Sequence, residues 1–125
     1  MIHLDTSFLI RALARGTAED LRLRDWLRGG TSLGMSAIAW AEFLCGPLQA
    51  HQVQLAARIV PEQWPFLPED AVQAARLFNL SGRRRGSLTD CMIAATALRA
   101  AAALATANPG DFHRLAPHGL RIAVA

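Results

Sequence analysis

The chain of 125 residues contains no lysine; all thirteen of its basic residues are arginine. That excludes any mechanism that needs a lysine, including Schiff-base chemistry. Cysteine occurs only twice, at Cys45 and Cys91, too few and too far apart for a metal knuckle. The expectation is two buried, reduced thiols in a cytoplasmic protein. No run is apolar enough to span a membrane: the longest weakly charged stretch, 29–57, contains Glu42, Pro47 and four glycines. The start has no basic segment, and Asp5 interrupts its first apolar stretch, so no secretory signal is expected. Internal repeats and low-complexity linkers are absent. What is present is a hydrophobic content of 52%, too high for a disordered chain. The length suits one domain, residues 1–125, with a proper core.

Short apolar runs alternate with helical patterns. Ile2–Leu4 reads as a buried strand ending at Asp5, followed by a helix from Ser7 to about Arg15 that stops at Gly16. Thr17 caps a second helix with Glu19 and Asp20 in its first turn; Ala18, Leu21 and Trp26, with Leu27 beside them, mark its apolar face. Residues 31–36 form a strand candidate weakened by Gly34, and residues 37–45 a mostly buried helix stopped by Gly46-Pro47. A helix over 49–60 precedes a short strand over 64–67, then a helix over 68–80. A basic loop over 81–86 leads to a helix that starts at Ser87, where Ser87-Leu88-Thr89-Asp90 has the form of a capping box. Strands over 104–106 and 120–124 flank a turn at Asn108-Pro109-Gly110 and a short helix opened by Asp111. The alternation predicts an α/β fold with a central short parallel sheet flanked by helices in three layers.

Four acids stand out. Asp5 follows the first strand, where open α/β sheets place their ligands. Glu42 is the only formally charged residue between Arg28 and Arg58, with no arginine three or four positions away. A buried carboxylate without a partner is costly. Asp90 and Asp111 lie in first turns of helices. Each acid has an ordinary explanation taken singly: a cap for Asp5, a solvated face for Glu42, a favourable first-turn charge for Asp90 and Asp111. Together they fit one pattern, acids at strand ends and helix starts along a single sheet edge. Such a cluster repels itself by roughly 3 kcal/mol per pair at ~5 Å and an effective dielectric of ~20, which calls for a cation. Removing these four leaves thirteen arginines against six acids, a body of +7 suited to a polyanion.

Four segments then resemble the successive motifs of PIN-domain ribonucleases: Asp5-Thr6-Ser7, residues 41–46 around Glu42, residues 90–98 from Asp90 to Leu98, and residues 106–112 from Thr106 to Phe112. Their order and spacing, and the chain length, are most similar to the VapC toxins of bacterial toxin–antitoxin pairs. Ser7 stands where many members carry Asn, and Ala39 where a hydroxyl residue is common. The resemblance implies Asp5 and Asp90 as the main ligands of Mg²⁺ or Mn²⁺, with Glu42 and Asp111 completing a catalytic pocket. It implies Thr6, Ser7, Thr106 and Asn108 as positioning groups. It also implies an RNA substrate, a VapB-type antitoxin and a homodimer.

The chemistry so implied is metal-assisted hydrolysis of an RNA phosphodiester. Arg83, Arg84 and Arg85 form the one concentrated basic patch, next to Asp90 in sequence; it suits RNA binding or is simply a solvated loop. His113 and His118 offer a histidine pair, without a supporting pattern. A nucleophilic-aspartate phosphatase usually has a second acid two residues on, where this chain has Ser7. A receiver domain usually needs a lysine. The remaining alternative is a catalytically silent PIN-fold binding module that acts through its antitoxin.

Overall fold

The computed structural model describes residues 1–125. Five parallel strands form one sheet: β1 (Ile2–Leu4), β2 (Leu33–Ser36), β3 (Gln63–Trp64), β4 (Ala103–Ala105) and β5 (Ile122–Ala123). Their spatial order is β3-β2-β1-β4-β5. The chain therefore builds outward from β1 to β3, then returns to the other side of β1. The carboxyl ends of β1 and β4 border the point where the winding reverses, the place where such sheets open a ligand crevice. Six helices flank the sheet: α1 (Thr6–Ala12), α2 (Ala18–Arg28), α3 (Ala37–Leu44), α4 (Ala50–Ile59), α5 (Pro68–Leu80) and α6 (Leu88–Arg99). Two 3₁₀ turns, Pro109–Asp111 and His113–His118, join β4 to β5. No helix is long and apolar enough to cross a membrane.

The parallel arrangement expected from the alternation of strands and helices is what the chain adopts. The core is fully buried Phe8, Phe43, Leu4, Met35 and Leu104, joined by Ile93 and Phe112. Buried Ala94, Ala95 and Ala97 let α6 lie close against its neighbours. Gly34 has a steric reason: a Cβ there would stand 2.8 Å from the ring of buried His3, which meets Trp64 edge-on across the same sheet face.

Several boundaries differ from expectation, each for a local reason. α1 ends at Ala12 rather than near Arg15, because the Thr17 hydroxyl takes up the carbonyls of Arg11 (2.8 Å) and Ala14 (3.0 Å). β3 covers Gln63–Trp64 rather than 64–67, since Pro65 has no N–H to continue the ladder. On α2 the expected apolar face holds only at Trp26. Leu21 and Leu27 are 57% and 50% exposed, whereas Leu23, Trp26, Glu19 and Asp20 are buried. The two acids are held inside by Arg11 and Arg24 at 2.9 Å each. Of the two free thiols only Cys91 is buried; Cys45 sits exposed just past the end of α3.

Candidate active site

Asp5 precedes α1 in the cap position, yet its side chain caps nothing. Its Oδ2 instead accepts hydrogen bonds from Ser7 Oγ at 2.6 Å and Thr106 Oγ1 at 3.0 Å. A hydroxyl has one proton to give, so both are committed to this one oxygen. The 3.2 Å approach of Ser7 Oγ to Thr106 Oγ1 is then a contact between acceptors. Each hydroxyl also accepts a backbone N–H, Ser7 from Ala107 (3.1 Å) and Thr106 from Asn108 (3.0 Å). The exits of β1 and β4 are thus stitched together around one carboxylate. Asp5 is 6% exposed, and its Oδ1 is free of protein hydrogen bonds.

Glu42 arrives from α3. That helix is capped by Ser36 at the end of β2, whose hydroxyl accepts from Ala39 N–H at 3.0 Å. Thr6 Oγ1 reaches across from α1 to the Ala39 carbonyl (2.8 Å) and to Glu42 Oε1 (3.3 Å). Ala39 therefore serves this site through its backbone and is itself fully buried. The Glu42 carboxyl is raised above its ordinary pKa, chiefly by desolvation, with Asp5 adding to the rise and the Thr6 hydroxyl opposing it.

Asp90 lies in the first turn of α6. The expected capping box does not form: Ser87 adopts helical dihedrals and makes no side-chain cap, donating its hydroxyl to the Arg84 carbonyl at 2.7 Å. Asp90 is pushed up to about 6, first by desolvation, then by Asp5, Asp111 and Glu42 in that order, against a smaller pull from Arg84. All four expected acids line one open cavity of about 270 Å³, together with Thr6, Ser7, Ile10 and Asn108. Thr106 is buried behind it, in contact through Asp5. His113 and His118 are not part of its wall.

No three His, Cys, Asp or Glu side chains are drawn together tightly enough to make a ready-built metal cage. The donor set still suits Mg²⁺, which keeps several waters and is bound through one or two carboxylates. Asp90 is raised first by its own desolvation and then by three neighbouring acids, a charge arrangement that a divalent cation would relieve.

The arginine loop divides. Arg83, in the left-handed region at φ +54, turns its guanidinium to Asn79 Oδ1 and over the Phe78 ring. Arg84 and Arg85 instead line a space that shares Asp90 and Asp111 with the acid cavity. Sequence reasoning missed two lining residues, Ile10 and Arg114. Arg114 carried one usable signal: it is a basic residue only three positions after Asp111, across the break between the two 3₁₀ turns.

Comparison with known proteins agrees with the fold. Among solved structures, the chain superposes on VapBC2 from Rickettsia felis bound to a promoter DNA fragment, with a TM-score of 0.77 and 19% identity over 100% of this chain and 99% of that one. FitAcB from Neisseria gonorrhoeae gives 0.73 and 22%, over 98% and 96%. DNA-bound VapBC from Salmonella typhimurium gives 0.72 and 20%, over 98% and 96%. No curated protein matches the sequence. The PIN domain family profile matches residues 2–117, and by that match the chain belongs to the PIN-domain family.

Proposed function

We propose that this chain is a divalent-metal-dependent endoribonuclease, the toxin of a VapBC-type toxin–antitoxin pair. The observation that carries the nuclease reading is the convergence of Asp5, Glu42, Asp90 and Asp111 on one cavity, none of them in an ion pair. PIN-domain membership supports phosphodiester hydrolysis, and likeness to VapBC and FitAB structures supports a VapB-type antitoxin partner. The likeness extends over the whole of residues 1–125, in keeping with a single PIN domain.

In this reading Asp5 and Asp90 hold Mg²⁺ or Mn²⁺, with Glu42 and Asp111 acting directly or through water. When bound, the ion polarises the phosphate and makes water a better nucleophile. The protein's own part is orientation. Ser7 and Thr106 fix Asp5 by its Oδ2, which leaves Oδ1 without a protein hydrogen bond. Thr6 steers Glu42. Asn108, exposed and with its side chain unpaired, is free to contact substrate. A carboxylate left free by the ion can orient the attacking water and take its proton.

The test is cleavage of RNA by purified free protein. Turnover should require Mg²⁺ or Mn²⁺, stop in EDTA, and disappear in Asp5→Asn and Asp90→Asn. Undiminished cleavage in EDTA would rule the reading out. Growth arrest on expression, relieved by a co-expressed antitoxin, tests the toxin role. A folded protein that binds an antitoxin yet cleaves nothing when free would instead mark a silent binding module. Size-exclusion light scattering tests the homodimer.

A further inference from the structure

The acid cavity has a neighbour in which arginines balance the carboxylates. A second cavity of about 200 Å³ shares Asp90 and Asp111 as its wall but is completed by Arg84, Arg85, Gly86 and Ser87, with no apolar residue. A small recess with the same shared acids adds Ser81 and Arg114. Asp5 and Glu42 line only the first cavity. The acid cavity therefore adjoins a mixed cavity and a small recess in which Arg84, Arg85 and Arg114 stand against the same two carboxylates.

Arg84 and Arg114 are available to a ligand. The protein's ion pairs join Arg11 to Glu19, Arg24 to Asp20, Arg28 to Asp25 and Arg99 to Asp70; none uses Arg84, Arg85 or Arg114. The Arg84 backbone is also held in place. Its carbonyl accepts both the N–H (3.1 Å) and the hydroxyl (2.7 Å) of Ser87 in a turn closed by Gly86 at φ +82. The hydroxyls of Ser81 and Ser87 already donate to the carbonyls of Phe78 and Arg84. Recognition in this compartment thus falls to guanidinium groups, whose planar donors match phosphate oxygens. A nucleic-acid strand carries one anion per nucleotide. If one phosphate sits among the acids and their metal, the next phosphate along must go somewhere close by. A peptide has no such obligatory second charge, which favours a nucleic-acid strand as occupant.

We propose that Arg84 and Arg114 hold the RNA phosphate next to the one cleaved, across the wall formed by Asp90 and Asp111, and that Arg83 takes no part. This rests on the ribonuclease reading above. The compartment fixes which way the strand lies across the acids, so it is a positioning and specificity device.

The test uses a single-stranded oligoribonucleotide of about eight residues, its scissile linkage first mapped with the parent protein in Mn²⁺. Each flanking linkage is then replaced singly by a neutral methylphosphonate. At one flanking linkage kcat/KM should fall about tenfold for the parent protein, and less than about twofold for Arg84→Ala/Arg114→Ala. In an Asp5→Asn background, which silences cleavage, the same pair of substitutions should lower the slope of log affinity against log salt by about 0.7, the share of one single-strand phosphate. Arg84→Lys/Arg114→Lys should keep most of that slope, and Arg83→Ala all of it. Thermal melts should match the parent, since these side chains are exposed. A double-alanine variant as sensitive to every neutral linkage as the parent overturns the subsite while leaving the nuclease intact. Failure of the parent to cleave the unmodified strand overturns both. Loss of antitoxin binding with unchanged response to the neutral linkages would give the compartment to the protein partner and overturn the proposal.

Discussion

Two groups of acids in this chain have opposite surroundings, one buried and the other ranging from buried Asp5 to exposed Glu42 and Asp111. Glu19, Asp20 and Asp70 each face an arginine at 2.9 Å: Arg11, Arg24 and Arg99 respectively. Asp20 also accepts the Gly16 N–H at 2.9 Å, and this bond, with Arg24, holds its carboxyl below the usual range. Asp5, Glu42, Asp90 and Asp111 share a cavity and have no ion-pair partner at all. Asp90 and Glu42 are raised, where Asp20 is lowered. Thirteen arginines leave no shortage of partners. The difference is one of placement: acids that hold helices together are neutralised within the protein, and acids at the switch point of the sheet are left for something from outside.

The largest expected effect on that comparison is catalytic. Asp90→Asn or Asp5→Asn should lower RNA cleavage by about a hundredfold or more, since each removes a charge that would hold the cation. Asp20→Asn should leave the turnover of the folded protein unchanged; a matching loss there would erase the distinction. Steady-state cleavage assays decide this.

Next in size are the two hydroxyls behind Asp5. Ser7→Ala or Thr106→Val should each cost roughly ten- to a hundredfold in metal affinity or turnover, because each removes one of the bonds that orient Oδ2. Metal titration of the cleavage rate would show it as a shifted midpoint. An unaltered midpoint in both would mean that Asp5 needs no such support.

The same Asp-to-Asn change should have opposite signs on stability in the two regions. Asp70→Asn should destabilise the protein by about 2–3 kcal/mol, below the range for a fully buried broken pair because Arg99 can still reach water. Asp90→Asn should stabilise the metal-free protein at neutral pH, by on the order of 1–2 kcal/mol after solvent screening. Urea unfolding in EDTA measures both; a destabilising Asp90→Asn would show that its charge is compensated after all.

The smallest and most diagnostic effect is the dependence on pH. The folded pKa of Asp90, about 6, lies above its unfolded value of ~4, so the folded state binds more protons between them. Its contribution to stability is fully present below ~4 and lost as pH rises through about 6; Glu42 acts in the same direction. Asp20 acts oppositely, with stability present above its unfolded pKa and lost as pH falls through the depressed folded one. In EDTA, the parent protein should lose stability between pH 4 and 6 relative to Asp90→Asn.

Much of this was legible in the sequence. The short apolar runs and capping signals located the strands and helices, and the four acids could be grouped because their residue types fell at strand ends and first turns. The ordinary explanation for Asp5, a helix cap, could be removed only by coordinates, since whether an Asp caps a helix depends on one side-chain dihedral; Asp90 keeps its first-turn place and lines the cavity as well. The face of α2 was misread because Glu19 and Asp20 are polar in sequence but buried by partners eight and four residues away. Arg83 could not be told from Arg84, because what separates them is a left-handed residue at φ +54 and a contact with Asn79 and Phe78 that three consecutive arginines do not announce. Arg114 gave too faint a signal without the acid cavity already in place.

The central claim is that the four acids form one site whose missing partner is a divalent cation. Thermal unfolding of the parent and Asp90→Asn proteins at neutral pH, each in EDTA and in Mg²⁺, tests it most directly. The account predicts that Asp90→Asn melts higher than the parent in EDTA, that Mg²⁺ raises the parent through binding to the folded state, and that Mg²⁺ barely moves the variant. If Asp90→Asn melts lower in EDTA and Mg²⁺ shifts both proteins alike, the acids do not share a cation and the account is wrong.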